Sequence, residues 1–455
     1  MPDFKPLIEQ ALRDRNFVSL REALGRREPV DVAEAIEALD PEERAVVFRV
    51  LPRELAADVF EYLSPEAQEA LIKALGGEHV AAILNEMAPD DRTALLEELP
   101  AAATKQALAL LTPEERQIAR QLLGYPEESI GRLMTPELIA VPQDWTVQQT
   151  LDHIRQQGRD SETLNVIYVV DERGKLIDDL RMRRLLLTDP ATRMRDLMDG
   201  HFVALKATED QETAVRMFSD YDRFALPVTD SNGVLLGTVT VDDVLDVAEE
   251  EATEDIQKIG GVEALDDPYM ETPFWRMLKK RARWLVVLFV GEMLTASAMG
   301  FFQREIERAV VLALFIPLII SSGGNSGSQA ATLVIRAMAL GEVGLRDWWR
   351  VIRREFLSGL SLGVILGVIG LVRVLAWQEV AHLYGPHGTL VAITVAVALV
   401  GVVLWGTIVG SMLPFVLQRF GADPAASSTP FVATLVDVTG LVIYFSVAAV
   451  VLVRS

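Results

Sequence analysis

Phe431-Val432-Ala433-Thr434-Leu435-Val436-Asp437-Val438-Thr439-Gly440 opens an apolar stretch, Phe431 to Val453, that is long enough to cross a bilayer. Placing a carboxylate such as Asp437 at that depth costs roughly 2.5–3.5 kcal/mol, so an acid there marks a functional site by default. Thr434, Thr439 and Gly440 surround it, and a cation site, a proton relay and a structural hydrogen-bond acceptor are all open readings. Four more such stretches precede it, at about Trp284 to Phe302, Val310 to Ala339, Phe356 to Trp377 and Leu390 to Leu417. Five membrane spans are therefore expected.

The second span carries Pro317 and then Ser321-Ser322-Gly323-Gly324-Asn325-Ser326-Gly327-Ser328-Gln329. Breaks in the helix are expected at both places, and irregular backbone at membrane depth is tolerated where it is buried in protein or lines a wet cavity. A packing seam of small residues is the other reading of the glycines. The segment is no phosphate loop, because the Lys-Ser/Thr ending is missing. Asn325 and Gln329 bring amides to the depth of Asp437, so a polar path would have two walls. Glu292 in the first span is a second membrane acid.

Arg276, Lys279, Lys280, Arg281 and Arg283 precede the first span, and Arg346, Arg350, Arg353 and Arg354 follow the second. The loop after the third (Gln378, Glu379, His382, Gly385, Pro386, His387) has no Lys or Arg. In the first outer loop Arg304 and Arg308 are balanced by Glu305 and Glu307. The positive-inside rule then puts the N-terminus in the cytosol and, with five spans, the C-terminus outside. The first residues lack the basic start and apolar core of a signal peptide.

Ahead of the spans the chain is charged. Net charge is −22 over 455 residues, while mean hydropathy is positive because the last two-fifths is nearly all apolar. Such acidity disfavours nucleic acid as a partner and favours cations. There are no cysteines, which removes disulfides, thiolate metal sites and thiol catalysis. No hydrolase or transferase constellation is present, so the chain does not read as an enzyme.

Leu39-Asp40-Pro41, Leu63-Ser64-Pro65, Met87-Ala88-Pro89 and Leu111-Thr112-Pro113 recur every 24 residues, with Leu51-Pro52 and Leu99-Pro100 at the midpoints. Asp40, Ser64 and Thr112 suit N-caps, Pro suits the first helical position, and Asp40 with Glu43 and Thr112 with Glu115 suit capping boxes. Short helices stacked as an α-solenoid are expected, with a scaffold or partner surface as their role.

From Gly131 to Val247 two similar α/β modules follow. Gly131-Arg132-Leu133-Met134-Thr135-Pro136 is echoed by Met194-Arg195-Asp196-Leu197-Met198-Asp199, and Ile167 to Asp171 by Leu226 to Asp230. Turns at Arg173-Gly174 and Asn232-Gly233 predict a hairpin in each. This resembles a tandem of CBS domains. Such pairs often bind adenosine nucleotides through a Thr or Ser and an Asp before the last helix. Thr240 and Asp243 match that pattern, whereas the first module has Arg181-Met182-Arg183-Arg184. An acidic run follows, Asp242, Asp243, Asp246, Glu249, Glu250, Glu251, Glu254 and Asp255, with no lysine or arginine inside it. It reads either as a solvated helix face or as a face whose like charges are neutralised by divalent cations held through oxygen.

The order of these parts is similar to that of the bacterial MgtE-type magnesium channels over the whole chain. The resemblance implies a multidomain protein: an all-α helical-repeat N-domain (1–127), α/β tandem CBS domains (128–191 and 192–248), an acidic connector (plug) helix (249–280) and a five-helix α transmembrane pore domain (281–455). It further implies a homodimer in the bacterial inner membrane with one pore on the two-fold axis. There, Asp437 of both copies would hold a hydrated Mg2+ with the Ala433 carbonyl and Asn325 nearby. Regulatory Mg2+ would be held at Glu86, Asp90, Asp91, Gly131 (carbonyl), Glu212, Ser219 (carbonyl), Asp222, Asp243, Asp246, Glu251, Glu254 and Asp255. Asp423 would meet the connector in the closed state.

Mg2+ is thus implied as both permeant and regulatory ion. ATP is a secondary expectation, because Arg223 and Arg184 stand where ATP-binding members offer an aromatic and an acidic residue. The implied function is a magnesium-selective channel for potential-driven uptake, closed by cytosolic Mg2+. A proton-coupled divalent-cation exchanger using Asp437 and Glu292 is the alternative, and a receptor-like protein without permeation is a third reading.

Overall fold

In the computed structural model of the chain the described residues are 5–13, 17–99, 101–159, 161–265, 269–270, 272–303, 310–381, 384 and 388–453. Pro100, the outer-loop residues Arg304, Glu305, Glu307 and Arg308, and His382, Gly385, Pro386 and His387 lie outside them. The chain divides into two compact units, Met1–Ala248 and Glu249–Ser455.

The first unit begins with the repeat. Each 24-residue period holds two helices of about three turns, such as Pro41–Val50 with Arg53–Glu61 and Pro89–Glu98 with Ala101–Leu110. One continuous apolar core runs through the stack, from Ile8 by way of Phe48, Phe60, Leu71 and Leu84 to Leu96 and Ala119. Proline in the first turn lacks only a donor that would have no helical partner there.

A second period-24 element fastens the stack. Arg44, Gln68, Arg92 and Arg116 each reach back to carbonyls closing the preceding helix, at Glu37 (2.8 Å), Phe60 (2.8 Å), Leu84 (3.0 Å) and Leu108 (2.7 Å). These are the orphan acceptors that every helix leaves at its C-terminus. The expected N-caps are corrected: Thr112 Oγ1 accepts from the Glu115 amide at 3.2 Å, but neither Asp40 nor Ser64 makes a side-chain cap. The backbone amides at two of these positions are instead satisfied across the stack, where Glu37 Oε1 takes the Ser64 amide (2.6 Å) and Asn85 Oδ1 the Thr112 amide (2.7 Å). The Glu115 side chain pairs with Arg92, so the second capping box is not closed.

Each α/β module has one three-stranded sheet. In the first, β1 (Ala140–Pro142) runs parallel to β2 (Val166–Val170), which pairs antiparallel with β3 (Leu176–Arg181). In the second, β4 (Leu205–Lys206), β5 (Ala225–Thr229) and β6 (Leu235–Thr240) repeat that order. Both expected hairpins form. Asp171 Oδ1 accepts from Arg173 and Lys175, Asp230 Oδ1 from Asn232 and Val234, and Gly174 and Gly233 take φ of +75° and +83°. The two turns also bond each other, through the Leu176 amide on Gly233 O and the Leu235 amide on Gly174 O (both 3.0 Å), and the Tyr168 and Thr238 hydroxyls meet at 2.6 Å. The modules are therefore one body.

In the second unit five helices are long and apolar enough to cross a membrane among the described residues. They are Phe274–Phe301, Ile316–Ala339, Trp348–Ala381, Gly388–Arg419 and Thr429–Val453, and they are taken below as spans one to five. The fourth is the most enclosed, packing against the second, third and fifth. The expected breaks in the second span do not occur. Pro317 sits in the first helical turn, and Ser321 to Gln329 is helical throughout. The glycines are retained for packing: Gly323 and Gly327 lie against Gly406 and Gly410 of span four, where a Cβ on Gly327 would stand 2.8 Å from the Gly406 carbonyl. This is the small-residue seam.

The connector also differs from expectation. Its helix, Val241–Ile259, stops at Gly260, and the described residues from there to Pro273 carry no helix or strand. Gly261 at φ +73° lets its amide bond Lys258 O (2.9 Å) and the Val262 amide bond Gln257 O (3.0 Å), a left-handed C-terminal cap that ends the helix.

Candidate functional site

Asp437 lies in the third turn of span five with its carboxylate half-buried. Gly324 of span two makes room for it: a Cβ there would sit 3.5 Å from Ala433 Cβ and 3.7 Å from Asp437 Oδ1, in ordinary contact and no closer. Among the described residues the carboxylate takes no hydrogen bond and no ion pair. Ala433 stands one turn earlier on the same face.

Beside them, Ser321, Asn325 and Gln329 form a stripe at four-residue spacing that is exposed along span two, with Asn325 Nδ2 at 3.4 Å from Ser321 Oγ. Other polar groups of the segment are spent internally. Ser326 donates to Thr407 (2.7 Å), whose own hydroxyl goes to Val403 O, and Ser328 donates to Thr429 O (3.1 Å). Glu292 is exposed on span one, one residue after Gly291, whose Cβ position is 2.9 Å from Thr434.

Below span five an acidic junction gathers the end of the connector helix and the preceding loop. Lys258 Nζ binds Asp423 Oδ2 at 2.7 Å and also pairs with Glu254. Burial opposes the lysine's charge, but the two acids more than compensate and raise its pKa above the ordinary value. Asp255 is held above the usual carboxylate range by burial and then by Asp423, against the pull of Lys258. Thr429 Oγ1 donates to Ile259 O (3.0 Å) and Trp284 Nε1 reaches Ser428 Oγ (3.2 Å), so the connector end is fastened at several points.

In the first unit a separate set of acids crowds together. Asp90, on the helix Pro89–Glu98, is buried with Oδ1 unpartnered, and burial followed by Asp243, Asp91 and Glu162 raises its pKa well above the ordinary value. Burial, then Glu61, Asp243, Glu162 and Asp242, push Asp91 up to about 8. Asp243 rises to about 6, chiefly by burial and against the hydrogen bond from Thr240. Glu61 keeps a solvent-facing surface, yet the protein around it and then Asp58, Asp243, Glu162 and Asp242 raise it to about 7. Among the described residues no three His, Cys, Asp or Glu side chains are close enough to enclose an ion by themselves.

Three family models match consecutive parts of the chain: the MgtE intracellular N domain over residues 27–128, the CBS domain over 130–187 and 194–250, and the MgtE divalent cation transporter over 316–447. The magnesium transporter MgtE of Thermus thermophilus is 41% identical over 448 residues, which is 98% of each chain. The chain belongs to the MgtE family. The Bacillus subtilis magnesium transporter MgtE is 31% identical over 75% of this chain and 73% of its own. A solved cytosolic domain of the Mg2+ channel MgtE in complex with ATP is 39% identical, with a TM-score of 0.51, covering 53% of this chain and 98% of that one.

Within this MgtE chain the expected regulatory residues are brought together only in part. Asp90, Asp91 and Asp243 share one field, whereas Glu86 ends the preceding helix and is exposed. Glu254, Asp255 and Asp423 meet at the junction. Glu212 starts the helix Glu212–Tyr221, while Ser219 lies near its far end, about 10 Å along the axis, and Asp222 follows in a left-handed cap (φ +49°). Gly131 is buried with its amide on Ala207 O (2.8 Å), and Asp246 and Glu251 lie on the helix Val241–Ile259.

Sequence reasoning missed Glu61 and Glu162 in the acidic field and Lys258 at the junction, while Asp242 stood in the acidic run without being named a regulatory ligand. Lys258 alone had a visible signal, as the first cation after the acidic run. Thr240 Oγ1 donates to Asp243 Oδ2 at 2.7 Å, so the pair expected to meet nucleotide is bonded to itself.

Proposed function

We propose that the protein is a magnesium-selective channel that takes up Mg2+ down the membrane potential and is closed by cytosolic Mg2+. The observation that carries the reading is the Asp437 carboxylate: it sits within the spans without a hydrogen-bond partner among the described residues and with Gly324 opening the space beside it. One carboxylate cannot balance a divalent ion, so two copies are invoked, each bringing Asp437 to a shared axis. The stripe Ser321, Asn325 and Gln329 supports this, because left facing lipid it would be costly. Mg2+ dehydrates reluctantly, and two acids with amides and the Ala433 carbonyl nearby suit an ion that keeps its water. An inside-negative potential drives a doubly charged ion with roughly 4.6 kcal/mol per 100 mV, twice the single-charge value.

Closure is assigned to the acids outside the spans. Asp90, Asp91, Asp243 and Glu61 form one field, and Glu254, Asp255 and Asp423 another. The unpartnered, buried Asp90 Oδ1 is what a cation would relieve. Since no cage of three acids is assembled among the described residues, Mg2+ bound here would keep part of its water shell and bind weakly, which suits a millimolar signal. The basic residues before span one and after span two support a cytosolic N-terminus and an external C-terminus in the bacterial inner membrane. ATP, with which a relative's cytosolic domain was solved, enters this proposal only as a secondary ligand, since Arg184 and Arg223 stand in place of an acid and an aromatic ring.

The test is Mg2+ flux into proteoliposomes under an inside-negative potential without a pH gradient, wild type against Asp437→Ala. Potential-driven flux that is lost in the variant is expected. Flux that requires a proton gradient would instead assign Asp437 and Glu292 to an exchanger, and unchanged flux in the variant would remove Asp437 from the path.

A further inference from the structure

Between Phe356 and Gln378 span three carries a single charged residue, Arg373, and it is exposed. The direction it faces follows from how the helix packs. Gly359, Gly363 and Gly367 lie against span four, where a Cβ on Gly363 would stand 2.9 Å from Val400 Cα and one on Gly367 2.9 Å from the Ala396 carbonyl. Each helical residue turns the chain by about 100°, so Ile365 and Ile369, two positions after those glycines, point away from span four. Arg373 and Trp377 continue that row at four-residue spacing, and all four residues are exposed. A cation thus stands on an apolar outer face where lipid would lie, which is costly unless its charge is answered.

Two observations say what answers it. Arg373 Cζ lies 3.4 Å from the centroid of the Trp377 ring, so the indole covers one side of the guanidinium by a cation–π contact and leaves the N–H donors free to bond. Among the described residues no carboxylate pairs with Arg373 and no carbonyl accepts from it. The nearest acid in sequence, Glu379, is six positions on, which puts it about 240° round the helix and off this row. Depth is the second observation. From Phe356, where the apolar run starts, the helix rises about 26 Å to Arg373, against a hydrocarbon core of about 30 Å. The long arginine stem therefore reaches the level of the lipid phosphates, and Trp377, about 6 Å further along the axis, sits where membrane helices carry their aromatic belt.

We propose that Arg373 and Trp377 bind the headgroup phosphate of an anionic phospholipid, in the leaflet at the C-terminal end of span three. That is the outer leaflet in the orientation that the basic residues support. A guanidinium fork matches two phosphate oxygens at once, while the acyl chains run down the face of Ile369 and Ile365. A choline headgroup brings its own cation to the phosphate and competes with the arginine, so anionic lipid is preferred. Lipid binding here uses no residue of the flux reading, and either can fail alone.

The experiment is titration of the delipidated full-length protein in detergent with phosphatidylglycerol, phosphatidylcholine and diacylglycerol of matched chains, with bound lipid counted by native mass spectrometry. At the strongest site phosphatidylglycerol is expected to bind at least about threefold tighter than phosphatidylcholine, and diacylglycerol, which has no phosphate, weakest of the three. Arg373→Gln should weaken phosphatidylglycerol about tenfold, as the loss of a charge-assisted bond does, and Trp377→Leu about threefold, as the loss of an exposed cation–π contact does. Arg373→Lys keeps the charge without the planar fork and should recover part of the loss. Arg155→Gln, an exposed arginine of the first unit, should change nothing and controls for general attraction of anionic lipid to arginine. Unchanged phosphatidylglycerol binding in Arg373→Gln, an equal loss in Arg155→Gln, or equal binding of phosphatidylcholine or diacylglycerol would each overturn the proposal. So would a change of oligomer mass in Arg373→Gln, which would give this face to a second copy of the chain.

Discussion

The acid in the spans and the acids of the first unit solve opposite problems. Asp437 is a single carboxylate in a place shaped by backbone: Gly324 clears the space beside it, while Gly323 and Gly327 lock span two to span four. Asp90, Asp91, Asp243 and Glu61 are several carboxylates whose pKa values rise by burial and by one another. The first arrangement depends on one group and on shape, so one atom's change should abolish it. The second depends on a sum of repulsions, so single changes should shift it by degrees. That difference is what the proposed selective path and the proposed graded sensor would each require.

The sharpest break is Asp437→Asn, which keeps shape and removes charge. Flux should fall to the background of empty liposomes while the melting temperature holds; flux retained in this variant would mean that charge is not what the ion meets. Next is a pair of glycines. Gly410→Ala drives a methyl into the Gly327 carbonyl and should cost about 1–3 kcal/mol of stability, whereas Gly324→Ala meets its neighbours at ordinary contact distance and should fold normally. Equal melting of the two in detergent would dissolve the distinction between the packing seam and the space beside Asp437.

The sensor should respond to pH with a defined sign. In the folded protein Asp243, Glu61 and Asp91 are pushed up to about 6, 7 and 8 from ordinary values of 3.8, 4.5 and 3.8 by burial and neighbouring acids. A raised acid contributes stability that is full below its unfolded pKa and is lost as pH climbs through the folded one. Without divalent cations, the first unit should therefore resist protease best near pH 4 and lose resistance progressively from there to about pH 8. Mg2+ competes with the same protons and should restore more resistance at pH 8 than at pH 6. Asp90→Asn should raise cation-free resistance and increase the Mg2+ needed for half-protection by a few-fold, on the order of 1 kcal/mol. A pH-independent profile, or wild-type Mg2+ response in Asp90→Asn, would mean that this field does not sense the ion.

Much of the architecture was legible because local chemistry repeats. Proline every 24 residues announced the helical stack, and Asp171 with Gly174 and Asp230 with Gly233 announced two hairpins, since each turn is made by its own residues. What escaped depends on distant partners. The run Ser321 to Gln329 read as broken helix, yet Gly323 and Gly327 are stabilised by Gly406 and Gly410, some eighty positions later. Asp40 and Ser64 looked like caps, but neither side chain accepts a helix amide, and the Ser64 amide is instead taken by Glu37 from across the stack. The acidic connector was visible and the family resemblance pointed to Asp423 as its loop partner, but its end at Gly260 and the Lys258 that joins the two emerged only in three dimensions. Of the candidate site, Asp437 announced itself through cost, whereas Glu61 and Glu162 look like ordinary surface acids until burial and neighbours raise them.

Lys258 offers the finest comparison, because it gives the junction a resident cation that the acids of the first unit lack. Its ammonium holds Asp423 and Glu254 together, so the connector end does not depend wholly on Mg2+ for cohesion. With both partners about a third exposed, solvent screens the pair and the contribution is about 0.2–1 kcal/mol. Lys258→Met keeps the aliphatic stem and removes the charge, leaving Glu254, Asp255 and Asp423 to repel. Protease cleavage after the connector helix, near Gly260, should then be faster than wild type in chelator and should return to the wild-type rate as Mg2+ replaces the ammonium. The half-protecting Mg2+ concentration at this cut should fall relative to wild type, because no lysine competes for the acids. Faster cleavage that Mg2+ cannot reverse would make Lys258 a structural pin with no cation exchange at the junction, and cleavage unchanged in chelator would show that Thr429 on Ile259 and the glycine cap hold the connector end without it.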